Sequence, residues 1–286
     1  MDKLWQQIDQ LGLNLYTVAV MTDDGLFHHR FQPCSLCHNG YSVTKAFVVT
    51  AIGLLYDDGL VRPEDRISRY LPIPATADPR WQEVTVDHLL THKTGAGHGF
   101  LDIDVEDVRA WQTDEYLDLA FAQPLPHAPG TQEVYSDGAF YLLSRIVSAA
   151  CGQTMDELLL HRVLKPLNFG EVAWSRCPKG HPIGATGMYA QAQDVVKLGW
   201  LYLNGGLWQD QRILSPEWVE LVLTRGYELR PMSFGWIGKA GMYGQQVALH
   251  PQKRAAVAWY GFNPGAHLQP LLQCIDDFWK GDATHV

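Results

Sequence analysis

The sequence predicts an α+β fold in which an antiparallel sheet, formed by both ends of the chain, is flanked by helices. Two observations support this prediction. Between Val61 and about His181 helical patterns dominate and strand patterns are scarce, whereas short β-prone runs separated by turn residues lie near the N-terminus and in the last third. We therefore expect a discontinuous α/β sheet domain, residues 1–60 and 185–286, with an all-helical subdomain, residues 61–184, inserted into it.

The first 60 residues contain a helix, a hairpin and a buried helix in the prediction. Apolar residues at helical spacing from Asp2 to Leu11 indicate an amphipathic helix. Leu15 to Met21 and Leu26 to Phe31 are β-prone and are separated by a turn sequence, which is typical of a hairpin. A uniformly apolar run follows Lys45, and we expect a buried helix that begins at Ser42 and ends at Gly59.

The remaining elements follow from periodicity and from residues that begin or end helices. They are a short helix with Thr85 as its N-cap, helices over Asp104–Phe121, Gly138–Ala150, Met155–Val163, Gln193–Leu203 and Pro216–Leu223, strands over Phe234–Ile237, Gln245–His250 and Ala255–Tyr260, and a closing helix over His267–Phe278.

Composition narrows the classes of function. The 286 residues carry a formal net charge of −9 without a basic stripe, so we expect no nucleic-acid partner. The longest apolar run, the eleven residues after Lys45, is too short to span a membrane. The segment from Met1 to Ile8 lacks the features of a signal peptide, which predicts a cytoplasmic protein, or a periplasmic one if a leader has been trimmed away.

Five cysteines show no disulfide framework. Cys34-x-x-Cys37 followed by His38 is compatible with a metal or redox site, or with reduced loop cysteines. Because no second cysteine pair has a matching spacing, we favour reduced cysteines and expect neither a metal nor a cofactor.

Ser42-x-x-Lys45 places a hydroxyl and an amine on one face of a helix, above its first turn. Backbone N–H groups lack partners there and the helix dipole is positive, which favours a developing oxyanion and makes a neutral, basic Lys45 easier to reach. The motif alone favours a simpler interpretation, an N-cap serine with a solvated lysine, so the other motifs of the chain must decide.

Two further stretches carry groups that acyl transfer needs, namely a second proton-transfer group and a cation for the substrate. Tyr135-Ser136-Asp137 follows a Pro-Gly-Thr loop and precedes a long helix. Lys239-Ala240-Gly241 lies in the predicted strand region, where the glycine permits close backbone approach to a ligand.

In this order the three motifs resemble those of the penicillin-recognising serine hydrolases, in the branch of class C β-lactamases, D-alanyl-D-alanine carboxypeptidases and esterases. The connecting segment Val86–Gly95 resembles the Leu-Leu-Thr-His-x-Ser-Gly segment of that branch. The similarity runs from about Leu15 to Tyr260 and implies a β-lactamase/transpeptidase-like fold.

The resemblance also implies roles for individual residues. Ser42 would be the acylated nucleophile and Lys45 its general base or hydrogen-bonded activator. Tyr135 would relay a proton to the leaving group, and Lys239 would hold Tyr135 and attract a substrate carboxylate. The backbone N–H groups of Ser42 and Met242 would form the oxyanion hole.

Departures from the family pattern concern the substrate-binding residues. Asp137 stands where the family usually has Asn, and it either accepts a substrate amide or neutralises a lysine. Ala240 replaces a threonine whose hydroxyl commonly binds a carboxylate, beside the expected substrate-binding Gly241. Ser136 is an alternative proton shuttle, but the surrounding sequence favours Tyr135.

We therefore predict a serine hydrolase that forms a covalent acyl-enzyme with a small-molecule acyl substrate. Esters or amides come first in this prediction, then D-amino-acid peptides, then β-lactams. The alternative is a catalytically silent relative that binds a ligand or acts as a sensor.

Overall fold

A computed structural model of the chain describes residues 1–265 and 268–282. The strands are β1 Leu15–Thr22, β2 Gly25–Arg30, β3 His38–Asn39, β4 Ala173–Trp174, β5 Met188–Ala190, β6 Leu207–Trp208, β7 Gln211–Arg212, β8 Arg230–Pro231, β9 Ile237–Ala240, β10 Gln246–His250 and β11 Ala255–Gly261. The α-helices are α1 Asp2–Asp9, α2 Thr44–Asp57, α3 Val86–Leu90, α4 Tyr116–Phe121, α5 Asp137–Cys151, α6 Met155–Leu159, α7 Ala192–Leu203, α8 Pro216–Arg225 and α9 Gln269–Asp282.

The main sheet has six strands in the order β2-β1-β11-β10-β9-β8, and every neighbouring pair is antiparallel. The N-terminal hairpin thus pairs with the last strand, for example Val18 with Trp259. The α+β class with an antiparallel sheet built from both chain ends is confirmed.

Helices cover both faces of this sheet because successive side chains of a strand point to opposite sides. Val18 and Val20 of β1 pack in the cluster that contains residues of α1 and α9. Ala19, between them, faces the other cluster, which contains α7. A Cβ on Gly199 of α7 would lie 3.2 Å from the carbonyl oxygen of Ala248, so this helix packs very close to the sheet.

Helix α2 lies at the centre of the molecule. Its residues from Thr44 to Leu55 are buried around the whole circumference, which is the pattern of a core helix. It packs against α5, α6 and α8. Because its hydrophobic cluster also includes the α7 face of the sheet, one core continues through both parts of the chain. The division into residues 1–60 with 185–286 and residues 61–184 stays a prediction.

Several predicted boundaries hold because the signals are local. Thr85 is the N-cap of α3 and accepts a hydrogen bond from the His88 N–H. Gly152 ends α5 in the left-handed conformation with φ 74°. The helix expected at Ser42 instead starts as a 3₁₀ turn, Tyr41–Val43, with α2 beginning at Thr44.

The long helix predicted over Asp104–Phe121 was wrong. Only the 3₁₀ turn Val108–Ala110 and α4 are helical there. Side chains of Asp107, Thr113 and Glu115 accept backbone N–H groups two residues further on, which competes with a continuous helix.

Two further predictions near the C-terminus need correction. The strand expected over Phe234–Ile237 begins only at Ile237, because Phe234 has φ 61° inside a 3₁₀ turn. The expected start of the closing helix at His267 lies outside the described residues. Among residues 1–265 and 268–282, no helix has the length and apolar character needed to cross a membrane.

Candidate active site

Ser42 lies in the 3₁₀ turn that leads directly into α2. The preceding residue, Tyr41, has φ 47°, a left-handed conformation that is uncommon for a residue with a side chain. Lys45 is in the first turn of α2, and its Nζ donates a hydrogen bond of 3.1 Å to Ser42 Oγ. The hydroxyl and the amine therefore meet above the helix start.

Lys45 is fully buried, unlike a solvated lysine. Its Nζ also donates to Asp137 Oδ1 at 2.6 Å and to the Ala185 carbonyl at 2.9 Å, so all three N–H bonds of an ammonium have acceptors. Burial works to lower the pKa of Lys45, but the combined interactions with Asp137, Tyr135 and Glu228 outweigh it, and the pKa lies above its ordinary value. The site favours an ammonium at Lys45, not the neutral amine expected from the helix dipole.

Tyr135 bridges Ser42 and Lys239. Its hydroxyl donates to Ser42 Oγ at 2.8 Å and accepts a hydrogen bond of 3.3 Å from Lys239 Nζ. Lys45 and Lys239 also place their Nζ atoms 4.8 and 4.7 Å from the centre of the Tyr135 ring. The Ser136 hydroxyl instead donates to the Phe100 carbonyl at 3.4 Å, so Tyr135 is the hydroxyl in contact with Ser42.

The end of β9 packs against the 3₁₀ turn that contains Ser42. A Cβ on Gly241 would lie 2.6 Å from the Gly40 carbonyl oxygen, so only glycine fits without a shift. The N–H groups of Gly241 and Tyr243 both bind Gln245, which fixes the turn around Met242. The oxyanion hole expected from the N–H groups of Ser42 and Met242 stays a prediction.

His92 packs against the Tyr135 ring and binds the backbone on both sides of Tyr135. The Val134 N–H donates to the His92 carbonyl at 2.8 Å, and the Ser136 N–H donates to His92 Nδ1 at 3.2 Å. The imidazole also stacks on the Tyr135 ring at 4.5 Å. Because Nδ1 accepts, the ring proton is assigned to Nε2, which donates to Glu228 Oε1 at 2.5 Å. Burial lowers the pKa of His92 in spite of Glu228, so this imidazole is neutral.

Glu228 completes the arrangement from the segment between α8 and β8. It is 1% exposed and its second oxygen forms an ion pair with Lys239. Burial alone would raise the pKa of Glu228, but the Lys239 ammonium and the His92 N–H hold it well below its ordinary value. Neither Glu228 nor His92 was among the predicted site residues. His92 lies in the segment that resembled the family, whereas Glu228 had no signal in the sequence.

The family model for Beta-lactamase matches residues 36–265, which covers Ser42, Tyr135 and Lys239. The chain belongs to the beta-lactamase family.

Relatives of this family member include enzymes with different names. It is 26% identical to the D-alanyl-D-alanine-carboxypeptidase/endopeptidase AmpH of Escherichia coli over 59% of the chain and 49% of that protein. It is 33% identical to Esterase EstB of Burkholderia gladioli over 44% of the chain and 35% of that protein. The chain thus spans half or less of the length of these two curated relatives.

Solved structures show the same fold. A penicillin binding protein from Bacillus halodurans superposes with a TM-score of 0.72 at 18% identity, and the match covers 96% of this chain and 98% of that one. The β-lactamase/transpeptidase-like fold is confirmed. With the named hydrolases, the match also confirms the predicted class, a serine hydrolase of the beta-lactamase family.

Two further acidic residues of this beta-lactamase family member, Asp102 and Asp104, interact with the charges of Lys45 and Asp137. Burial, with the charges of Asp137 and Asp104, raises the pKa of Asp102 to about 6. Burial also raises the pKa of Asp104. Both carboxyls interact with the charges of the Lys45–Asp137 pair. The region around this pair therefore becomes more negative as Asp102 and Asp104 ionise.

The Cys34 to His38 segment offers no metal site. All five cysteines are free thiols, and Cys37 Sγ lies 3.3 Å from the Glu171 carbonyl. The His38 ring packs on Tyr16 at 4.5 Å. Within the described residues, no group of three or more His, Cys, Asp or Glu side chains is placed to hold a metal ion.

A cavity of about 640 Å³ adjoins the end of β9. It shares Ala240, Gly241 and Met242 with the site, and Met232, Trp259 and Leu268 also line it. Ser42 and Tyr135 do not line this cavity. The candidate active site is therefore defined by the hydrogen bonds around Ser42 and not by the cavity.

Proposed function

We propose that the chain is an esterase or amidase that acts on small acyl substrates through a covalent acyl-enzyme at Ser42. The observation that carries this proposal is the pair of hydrogen bonds on Ser42 Oγ, from Lys45 Nζ at 3.1 Å and from the Tyr135 hydroxyl at 2.8 Å. A serine hydroxyl that accepts a hydrogen bond from a lysine ammonium and contacts a proton-transferring tyrosine, itself anchored by Lys239, is the arrangement of an activated nucleophile.

In acylation, Ser42 Oγ forms a bond to the substrate carbonyl carbon and the bond to the leaving group breaks. The Lys45 ammonium already donates all three protons, so it cannot accept the Ser42 proton. The Tyr135 hydroxyl turns from Ser42 Oγ to the leaving group and gives up its proton, and the tyrosine oxygen takes up the Ser42 proton in the same step, so Tyr135 is again a neutral hydroxyl at the end. Lys45 and Lys239 stabilise the negative charge that develops on the tyrosine oxygen.

Deacylation runs along the same path. Water attacks the acyl carbon and gives a proton to Tyr135, which returns one to Ser42 Oγ as the ester bond breaks. The N–H groups of Ser42 and Met242 are proposed to bind the carbonyl oxygen in both steps. Gly241 supports this role, because its close approach to Gly40 brings the β9 end next to the nucleophile turn.

The residues beside the nucleophile favour substrates without a carboxylate. Asp137 pairs with Lys45 at 2.6 Å, which supports the interpretation that it neutralises a lysine. Ala240 offers no hydroxyl to a substrate carboxylate. We therefore rank esters and amides first, then D-amino-acid peptides, then β-lactams. The cytoplasmic location rests on sequence alone and stays a prediction.

Ser42→Ala tests this function. We expect wild type to hydrolyse a p-nitrophenyl ester and to gain the mass of a fluorophosphonate adduct, and Ser42→Ala to lose both. Ser35→Ala removes an exposed loop hydroxyl that donates to the Cys37 carbonyl and serves as the control. Full turnover and full labelling of Ser42→Ala would refute the proposed nucleophile.

A catalytically silent, ligand-binding protein is the second candidate. It is favoured by the three occupied N–H bonds of Lys45, which leave this lysine unable to act as a base in the resting state. Intact-mass spectrometry of wild type with esters, D-peptides and β-lactams separates the two. An adduct that forms and disappears supports the enzyme, and reversible binding without an adduct supports the silent protein.

A further inference from the structure

Lys239 is already neutralised inside the protein. The ammonium forms an ion pair with Glu228 Oε2 and a hydrogen bond with the Tyr135 hydroxyl, and its side chain is only 12% exposed. A lysine that serves as a carboxylate receptor needs an unsatisfied positive charge facing the substrate. In this chain the positive charge of Lys239 is already paired with the carboxylate of Glu228, which is part of the protein itself.

Glu228 is fixed in place by independent contacts. Its other oxygen accepts the His92 Nε2–H at 2.5 Å, and both side chains are fully buried. His92 and Glu228 both have left-handed backbones, with φ 56° and 61°. Such conformations persist in residues with side chains only where the surrounding contacts over-determine them, and they concentrate at functional sites.

The second lysine of the site is matched in the same way. Lys45 pairs with Asp137, so two ammonium groups face two buried carboxylates and the four charges cancel. Asp102 and Asp104 add negative charge to this region when ionised. A carboxylate on an incoming substrate therefore meets no net positive charge near the nucleophile.

We propose, building on the proposed function, that Glu228 is a specificity-determining residue that neutralises Lys239 and thereby directs the site to neutral leaving groups instead of leaving groups that carry a carboxylate. The relevant side is the leaving-group side because Lys239 binds Tyr135, the residue that protonates the leaving group. Glu228 acts through Lys239 and does not touch the substrate.

The test uses a matched pair of thioesters, S-phenylacetyl-thioglycolic acid and its methyl ester, with the released thiol measured by a chromogenic thiol reagent. We expect wild type to have at least a tenfold higher kcat/KM for the methyl ester. Glu228→Gln keeps the side-chain volume and removes the charge. It should shift the ratio at least tenfold toward the acid, mainly through a lower KM for the acid.

Two variants separate charge from packing. Glu228→Asp keeps the charge, and aspartate tolerates a left-handed backbone, so it should retain the wild-type preference. Asp194→Asn breaks a buried pair with Lys197 on α7, outside the site, and should also leave the ratio unchanged. An unchanged ratio in folded Glu228→Gln overturns the proposal, as does an equal shift in Glu228→Asp.

Wild type alone also tests the idea if Glu228→Gln does not fold, because a preference of wild type for the acid contradicts it. If neither thioester is hydrolysed, the proposed function fails. The role of Glu228 in specificity is then tested by ligand binding instead of turnover. Phenylacetylglycine and its amide are then titrated into Ser42→Ala and Ser42→Ala/Glu228→Gln by calorimetry. Tighter binding of the acid only in the double variant supports the role of Glu228, and equal preferences in both overturn it.

Discussion

Each of the two lysines proposed to act in catalysis, Lys45 and Lys239, has its own buried carboxylate. Lys45 pairs with Asp137 and Lys239 pairs with Glu228, and neither carboxylate is more than 5% exposed. The desolvation cost of a buried ion pair offsets most of its Coulombic gain, so these pairs add little net stability. Removing one partner is different, because the remaining charge is then buried without compensation.

Asp137→Asn is therefore expected to lower the free energy of unfolding at pH 6 by about 3 kcal/mol. That is the low end for a broken buried pair, because the asparagine oxygen still accepts a hydrogen bond. In wild type the pKa of Lys45 lies above 10.5, so its stabilising contribution is complete at lower pH and is lost only above that value. In the variant, burial lowers the pKa of Lys45 and the penalty relaxes as pH rises.

Urea unfolding at pH 6, 7.5 and 9 measures both effects. The stability gap between wild type and Asp137→Asn should narrow as the pH rises. Asp107→Asn, which removes a pair with Arg109 on the surface, should leave stability nearly unchanged at each pH. A gap that widens with pH would show that Lys45 is not held as an ammonium.

At the scale of elements, the site forms where the start of α2, the start of α5 and the end of β9 meet. The first two elements pack against each other in the core, and β9 contacts the 3₁₀ turn before α2. Gly241 determines how closely β9 approaches this turn.

Gly241→Ala should reduce kcat for a p-nitrophenyl ester by roughly tenfold or more, because a Cβ 2.6 Å from the Gly40 carbonyl forces β9 away from Ser42. Gly170→Ala is the control, since its Cβ would meet only side-chain atoms at 3.2 Å and 3.4 Å. Circular dichroism should show both variants folded. Unchanged kcat in Gly241→Ala would mean that this approach does not position the oxyanion donors.

The elements that sequence predicted well are those specified by neighbouring residues. Thr85 caps a helix whose third residue it contacts, and Ser42 and Lys45 meet because they are three residues apart. Glu228 could not be found in this way, because its partner His92 is 136 residues away. The ion pair that makes Lys45 an ammonium depends likewise on Asp137, 92 residues further on.

At the scale of the whole molecule, buried and half-buried imidazoles give the fold a common response to acid. Burial lowers the pKa of five of the described histidines, namely His38, His88, His92, His181 and His250. Each binds a proton in the unfolded chain at a pH where it stays neutral in the folded one. Asp102, with its pKa raised to about 6, and Asp104, whose pKa is also raised, act in the opposite direction but are two groups against five.

The free energy of unfolding is therefore expected to fall as the pH is lowered from 7 to 5. The depressed pKa values mean that the stabilising contribution is present above about pH 6.5 and is lost as pH falls through the folded-state values. His92 alone contributes a slope of up to about 1.4 kcal/mol per pH unit. Urea unfolding in quarter-unit steps measures the slope, and constant or rising stability toward pH 5 would contradict the assignment of neutral imidazoles.

The long sequence separations within the site also bear on how the protein reaches its native state. Tyr135 and Ser42 are 93 residues apart, Lys239 and Tyr135 are 104 apart, and His92 and Glu228 are 136 apart. Closing such long loops is slow, whereas helices and the N-terminal hairpin form from local contacts. A refolding intermediate can thus contain most of its secondary structure while Ser42 and Tyr135 are still apart. Hydrolytic activity returns only when the last long-range contacts have formed.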